Sequence, residues 1–305
     1  MYYFVVNPTS SSGQGTGVWD RTQKALKERG ISYEAFILSR PGEASEIAEK
    51  LSALEGHHRV ILLGGDGTLN EFLNGLKDYS HLTLGYLPTG SGNDFARGMQ
   101  LPRDPEKFLN MILDPRAFRM VTIARVTSGD KSCRFAVSSG AGFDAAVCYE
   151  TATAPMKGLL NKLHLGKLIY TLYALKLIFG SSRFSADLTV DDGQVQHIDR
   201  ALFAAAMNTP YEGGGFRFAP KADPTDDLLD VIYAEGMSVS RVLRVLPLAR
   251  FGLHTHCKGV HMIRCSSFTI HSDTPLCVHT DGEHFGFCSD ITYSLEKEKI
   301  KLITG

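Results

Sequence analysis

Apolar runs and amphipathic stretches alternate along the first third of the chain. YYFVV (2–6), YEAFIL (33–38), RVILL (59–63) and LTLGYL (82–87) read as strands. Between them, Val18 to Arg29, Ala44 to Leu54 and Leu69 to Leu76 carry apolar residues at the three-to-four spacing of a helix face, and a further helix starts near Asn93. Strands separated by helices cannot pair as hairpins, so this half predicts a three-layer α/β domain around a parallel sheet.

After Phe118 the pattern changes. MVTIARV, CRFAVSS, SADLTV, ALFAAAM, LDVIYA, SFTIHS and ITYSL are short alternating runs divided by Gly, Asp and Pro turns, which predicts an antiparallel β-sandwich. Two helical segments, Leu159 to Phe179 and Ser240 to Phe251, interrupt it. The expected division is an α/β domain over 1–122 and a β-sandwich domain over 123–305. The C-terminal tail of the second is expected to pack back on the first. The boundary is a change of pattern rather than a linker.

Composition narrows the class without changing that picture. The chain has 305 residues, enough for two cores, and 43% of them are hydrophobic. A formal net charge of -1 gives no global field to recruit nucleic acid, so no nucleic-acid partner is expected. The opening MYYFVVN has no basic region and no cleavage site, which argues against a secretory signal. Lys162, His164, Lys167 and Lys176 break the apolar run at 159–179, which therefore reads as a soluble or interfacial helix rather than a membrane span. Six cysteines without paired spacing point to the cytoplasm. His254, His256, Cys257, Cys277 and His279 crowd together in sequence, but their spacing is not that of a zinc finger, and strand alternation accounts for them.

The segment VILLGGDGTLNE (60–71) is a buried strand running into a Gly-rich turn with a helix directly after it. Glycines let the backbone approach a polyanion, and the helix adds N-terminal amides and its dipole. No Gly-Lys-Ser/Thr follows, so this is not a Walker loop. An aspartate inside a phosphate cradle needs a cation between, so Asp66 implies Mg²⁺. The plainer reading is a strand-to-helix turn with Asp66 and Thr68 as caps. A second loop of the same form, LGYLPTGSGNDFAR (84–97), weighs against it, because adjacent Gly-rich loops at strand ends make the ligand crevice of an open α/β sheet. Farther on, Asp281-Gly282-Glu283 taken alone is a tight turn with two solvated acids.

These segments resemble the diacylglycerol kinase catalytic domain, shared with sphingosine and ceramide kinases in the wider NAD-kinase-like superfamily. GGDGTLNE (64–71) and PTGSGNDFAR (88–97) are similar to its two nucleotide motifs, and NPTSSSGQG (7–15) to its first phosphate loop. The likeness continues through SSGAGFDA (138–145), GKLIYTLYALKLIF (166–179), GGGFRFAP (213–220), DPTDDLLD (223–230) and HTDGE (279–283). The resemblance implies that Asn7, Pro8, Thr9, Ser10, Ser11, Ser39, Gly64, Gly65, Asp66, Gly67, Thr68, Leu69, Asn70 and Ser91 contact ATP. It also implies that Asp66 serves the catalytic Mg²⁺, that Asp226 with the carbonyls of Asp223 and Leu228 holds a structural Mg²⁺, and that Glu283 is the general base with Asp281 orienting it or linked to a metal.

Two positions depart from the family pattern. Asp227 stands where relatives prefer Gly, and the first phosphate loop has no basic residue before Arg21, leaving Arg97, Lys167 or Mg²⁺ to neutralise phosphate. The helix at 159–179, with Lys162, Lys167 and Lys176 for headgroups, and the run Tyr211 to Phe218 are the candidate lipid contacts. The expected activity is phosphorylation of diacylglycerol or a related lipid at the membrane surface. A kinase of a soluble alcohol such as NAD, and a non-catalytic nucleotide-binding regulator, are the alternatives. Asp66, Asp226 and Glu283 together weigh against the regulator, which needs no base. A homodimer is left open.

Overall fold

The computed structural model of the protein describes residues 1–153, 176–180, 183–191 and 193–305. The chain forms two compact units, one of Met1–Ile123 with Glu296–Gly305 and the other of Ala124–Leu295.

In the first unit β1 (Tyr2–Val6), β2 (Tyr33–Ile37), β3 (His58–Gly64) and β4 (Leu82–Pro88) form a parallel sheet in the order β2-β1-β3-β4. The end of the C-terminal strand joins it beside β4, with Lys301 opposite Thr83 and Leu302 opposite Leu84. Val60 to Gly64 are buried one after another, because helices cover both faces of a parallel sheet and leave no solvated side to alternate toward. Those helices are α1 (Ser10–Glu28), α2 (Glu43–Ser52), α3 (Asp66–Gly75), α4 (Asp94–Gly98) and α5 (Pro105–Leu113). Phe4, Trp19, Leu63, Phe108 and Ile303 meet in one core. Helix α3 begins at Asp66, three residues earlier than its apolar pattern suggests. Helix α5 was not anticipated, although its signals are present: Pro105 stands in its first turn and the Asp104 carboxylate accepts from the Lys107 amide at 2.9 Å.

The second unit is antiparallel, as the alternating pattern predicts. Its strands are the later part of β5 (Phe118–Ser128), β6 (Lys131–Phe135), β7 (Ser138–Gly142), β8 (Phe184–Val190), β9 (Gln194–Met207), β10 (Leu229–Glu235), β11 (Val260–Cys265), β12 (Ser267–Thr280) and the first part of β13 (Glu283–Ile303). The main path runs β11-β10-β9-β7-β12-β13, with β8 pairing β9 and β12. Leu188, Val231, Phe268 and Tyr293 belong to its core, with the Phe268 and Tyr293 rings stacked 4.9 Å apart. Among the described residues this unit also carries helices α6 (Phe143–Thr153) and α7 (Val239–Ala249). Residues 154–175, which include Lys162 and Lys167, lie outside the described residues. Residues 176–180 are helical, and Lys176 pairs with Glu150 at 2.7 Å. Among the described residues no helix is long and apolar enough to cross a membrane.

Helix α3 carries the GGDGT loop at its start and is pinned at its other end. A Cβ added at Gly75 would lie 2.1 Å from the Ser45 carbonyl oxygen of α2. Alanine would gain up to about 1 kcal/mol of helix propensity, whereas overpacking against backbone typically costs about 1–3 kcal/mol. Gly75→Ala is therefore expected to lower stability in urea denaturation. A variant as stable as the parent would contradict the tight α2–α3 contact.

Candidate active site

Each Gly-rich loop follows a parallel strand, and hydrogen bonds join the loops to one another. Asn7, just past β1, donates its backbone N–H to the Leu63 carbonyl at 2.8 Å and its side-chain amide to Thr68 Oγ1 at 2.8 Å. Its Oδ1 accepts from the Thr9 amide and hydroxyl, and the Ser10 hydroxyl lies 2.7 Å from Thr89 Oγ1. The Thr89 amide donates to the Gly64 carbonyl. Glycine is required where backbones touch: a Cβ on Gly90 would sit 2.4 Å from Gly65 Cα, and one on Gly15 would sit 2.3 Å from the Asn7 carbonyl oxygen. Asn7, Thr9, Ser10, Gly64, Gly65, Asp66 and Thr68 are thus brought together in this unit.

Asp66 is the fastening between the second and third loops. Its Oδ2 accepts from the Asp94 amide at 3.0 Å and its Oδ1 from the Phe95 amide at 3.2 Å. Burial raises its pKa, and these amide bonds oppose that rise. A carboxylate offers about four lone-pair sites, so two amides leave acceptor capacity for a cation. The residue therefore caps the first amides of α4 rather than its own helix, and keeps capacity for Mg²⁺.

The other residues of the expected nucleotide set divide by their surroundings. Thr9, Gly67 and Ser91 are exposed. Leu69 is packed in the core and Asn70 is buried, so Leu69 offers only backbone to a ligand. Pro8 accepts from the Thr16 amide and hydroxyl, and Ser11 holds a left-handed φ of 48°. Ser39 gives its amide and hydroxyl to Glu43, which lowers the Glu43 pKa. Arg97, weighed as the phosphate cation, pairs with Asp94 and donates to the Gly92 carbonyl at 3.2 Å.

In the second unit, Asp281 and Gly282 form the two-residue turn between β12 and β13. Both take positive φ, 48° and 87°, as the Asp-Gly sequence of a tight hairpin requires. The Asp281 carboxylate accepts from three successive amides, Ala136 at 2.9 Å, Val137 at 2.8 Å and Ser138 at 3.1 Å. That commits Asp281 to holding the turn. Glu283 is the first residue of β13, exposed, and no hydrogen-bond partner of its carboxylate is found among the described residues. Of the two acids, Glu283 is the one whose carboxylate is not engaged by backbone amides.

A buried cluster that was not foreseen lies beside this turn. His279 Nε2 is 3.2 Å from Asp144 Oδ2 and 3.2 Å from Glu212 Oε1, and His279 is fully buried. Spacing suggests a metal triad. Hydrogen bonding argues otherwise: the Gly282 amide donates to His279 Nδ1 at 3.2 Å, which keeps the ring proton on Nε2, where a metal ligand would need a bare lone pair. His279 therefore donates to the two acids, and burial pushes the Asp144 carboxyl up toward its protonated form. Gly140 is glycine because a Cβ there would fall 1.9 Å from Asp144 Oδ2. The zinc reading of the nearby histidines and cysteines finds no support in their partners, since His254 contacts the Phe218 carbonyl and Cys277 contacts His284.

Asp144 and Glu212 also stand at the wall of an otherwise apolar cavity, lined by Phe143, Leu202, Phe218, Val242, Leu246 and their neighbours, with His254 as its remaining polar residue. The run Tyr211 to Phe218 thus supplies both an acid and an aromatic ring to this cavity.

The expected structural Mg²⁺ site looks different. Asp230 of β10 faces Arg264 of β11 across the strand pair, and Arg264 reaches on to Asp226. The other Asp226 oxygen accepts from the Leu228 amide at 3.0 Å, and the Asp223 carbonyl accepts from the Asp226 amide at 3.2 Å. Each Asp226 oxygen thus has one partner, as each Asp66 oxygen does, and a guanidinium stands beside the loop where the sequence suggested Mg²⁺. Asp227 adopts φ 60°, a left-handed conformation that Gly takes without strain.

Two family models match the chain: the diacylglycerol kinase catalytic domain over residues 1–125 and the YegS C-terminal NAD kinase beta sandwich-like domain over 137–303. The Bacillus subtilis protein YtlR, whose name assigns it provisionally to the lipid kinases, is 30% identical over 93% of this chain and 94% of its own length. A diacylglycerol kinase of Staphylococcus saprophyticus is 27% identical over 92% of this chain and 88% of its own. Among solved structures, a diacylglycerol kinase from Bacillus anthracis str. Sterne shares the fold with a TM-score of 0.70 at 18% identity, covering 100% of this chain and 96% of that one. An NAD kinase from Archaeoglobus fulgidus in complex with ATP follows with a TM-score of 0.57 at 15% identity, covering 99% of this chain and 93% of that one.

Removing Arg264 tests the charge assignment in the Asp226 loop. Burial already raises the Asp230 pKa, and Arg264 is what opposes that rise. Arg264→Met is expected to cost about 1–3 kcal/mol at neutral pH. A raised folded-state pKa gives stability at low pH that is lost as pH rises through it. The deficit in thermal or urea unfolding should therefore shrink as the pH falls and Asp230 takes up its proton. A deficit that ignores pH, or that added Mg²⁺ abolishes, would contradict the assignment.

Proposed function

The chain belongs to the diacylglycerol kinase family of lipid kinases, and on that premise we propose that it phosphorylates the hydroxyl of diacylglycerol or a related lipid with ATP and Mg²⁺. One observation favours a lipid over a soluble alcohol: the apolar cavity of the second unit, with acids at its edge. An acyl chain can leave water there. NAD, a large polar acceptor, has no use for such a wall. The working site is accordingly assigned to the cytoplasmic face of a membrane.

In this reading the loops at 7–11, 64–70 and 89–94 hold the nucleotide phosphates through backbone amides and the hydroxyls of Thr9, Ser10 and Ser91. Asp66 keeps two of those loops in register and serves Mg²⁺, which when bound with ATP neutralises phosphate charge. Phosphoryl transfer is mostly positioning and charge neutralisation. The acceptor oxygen forms its bond to the γ-phosphorus, the bond to the bridging oxygen of ADP breaks, and Glu283 takes the hydroxyl proton. Asp281, committed to three amides, holds the turn from which Glu283 projects.

The acceptor class is tested by following the γ-phosphoryl label of ATP with diacylglycerol and, separately, with NAD. Label in an organic-extractable product is expected, and label transferred only to NAD in the aqueous phase would overturn the lipid reading. Glu283→Gln keeps size and loses proton acceptance, so kcat should fall by about 10² to 10⁴-fold with little change in KM for ATP. A near-parental kcat would remove Glu283 as the base.

A further inference from the structure

Helix α7 has two different apolar sides. Val242, Val245, Leu246 and Ala249 line the cavity. Leu243 and Leu248 point away from it and are exposed, and the turn that follows the helix leaves Phe251 70% and Leu253 64% exposed. Burying such side chains in an apolar phase is worth about 1.5–3 kcal/mol each, so the outward set is a standing cost in water unless something covers it.

Charge indicates what does. From Ser238 to Lys258 the chain carries Arg241, Arg244, Arg250 and Lys258 and no Asp or Glu. Arg244 and Arg250 are exposed beside the apolar residues. Arg250 stands over the Phe216 ring at 5.7 Å and donates to the Gly214 carbonyl, which ties this patch to the loop that supplies Glu212 and Phe218 to the cavity. A helix with an apolar outer edge, flanking arginines and no acid matches the headgroup and acyl boundary of an anionic bilayer. The whole chain is close to neutral, so this attraction is local.

We propose that the outer side of α7 and the turn at 251–253 dock on the surface of an anionic phospholipid membrane, with Phe251 and Leu253 entering the acyl boundary. The choice of a bilayer as occupant rests on the lipid-acceptor reading above. The same helix then forms the membrane contact on one side and the cavity wall on the other, which gives an acceptor lipid a short route between them.

The test is co-sedimentation of the full chain with vesicles of phosphatidylcholine alone or with phosphatidylglycerol added, for the parent and for Phe251→Ser/Leu253→Ser. Binding to the mixed vesicles is expected, weakening as salt rises, with affinity reduced about tenfold or more in the variant. The variant's kcat on a short-chain diacylglycerol dispersed in detergent should match the parent's, since neither residue lines the cavity. Parental affinity in the variant, or no preference for the anionic vesicles, would overturn the proposal. So would self-association in sedimentation equilibrium that the double substitution abolishes while vesicle binding is absent. Vesicle binding that behaves as expected, with no lipid phosphorylated by either protein, would uphold the docking surface and sink the kinase reading instead.

Discussion

An acidic side chain that accepts hydrogen bonds from the backbone amides of a distant turn is the interaction on which the functional loops of both units depend. Asp66 does this for the amides of Asp94 and Phe95, and Asp281 for those of Ala136, Val137 and Ser138. Amides at a turn or a helix start have no partner of their own, and a charged acceptor contributes about 1.5–3 kcal/mol per bond. Covalently the joined loops are far apart, 28 residues in one case and 145 in the other. The carboxylates therefore determine loop geometry that neither strand could impose alone. Each aspartate is followed by glycine, so a single Asp-Gly pair supplies both the fastening and the adaptable backbone.

This has a consequence for the chemistry. An aspartate occupied by amides is a poor candidate for a proton acceptor, and in the hairpin Asp281-Gly282-Glu283 that leaves Glu283. The neighbouring His279 is locked in the same manner by the Gly282 amide, so its other nitrogen donates to Asp144 and Glu212 rather than holding an ion. One tight turn thereby orients the acid on its outer side and the buried acid cluster on its inner side. The cavity wall formed by α7 extends the arrangement toward the surface, where arginines and exposed apolar side chains occupy the same helix.

Much of the architecture is visible in the sequence because burial imposes periodicity. The fully apolar run at 60–64 announces a strand covered on both faces, and the alternation after Phe118 announces an antiparallel sheet. The Asp-Gly turn and the two Gly-rich loops are legible for the same reason, since positive φ and close backbone approach select glycine. What escaped is pairing across long sequence distances. Nothing local to Asp144, Glu212 or His279 marks them as neighbours, although each lies in or beside a glycine-containing motif. Arg264 is a single basic residue in an ordinary strand, and only the β10–β11 register places it opposite Asp230 and within reach of Asp226. Helix α5 was missed although Asp104 and Pro105 signal its start.

The division of labour between Asp281, which holds the turn, and Glu283, proposed as the base, is most directly tested by hydrogen exchange at the amides of Ala136, Val137 and Ser138. Losing a bond worth about 1.4 kcal/mol speeds exchange about tenfold where local opening controls it. Asp281→Asn should accelerate exchange at these three amides by that order or more, and Glu283→Gln should leave them at the parental rate. Parental protection in Asp281→Asn, or equal loosening in Glu283→Gln, would contradict the account.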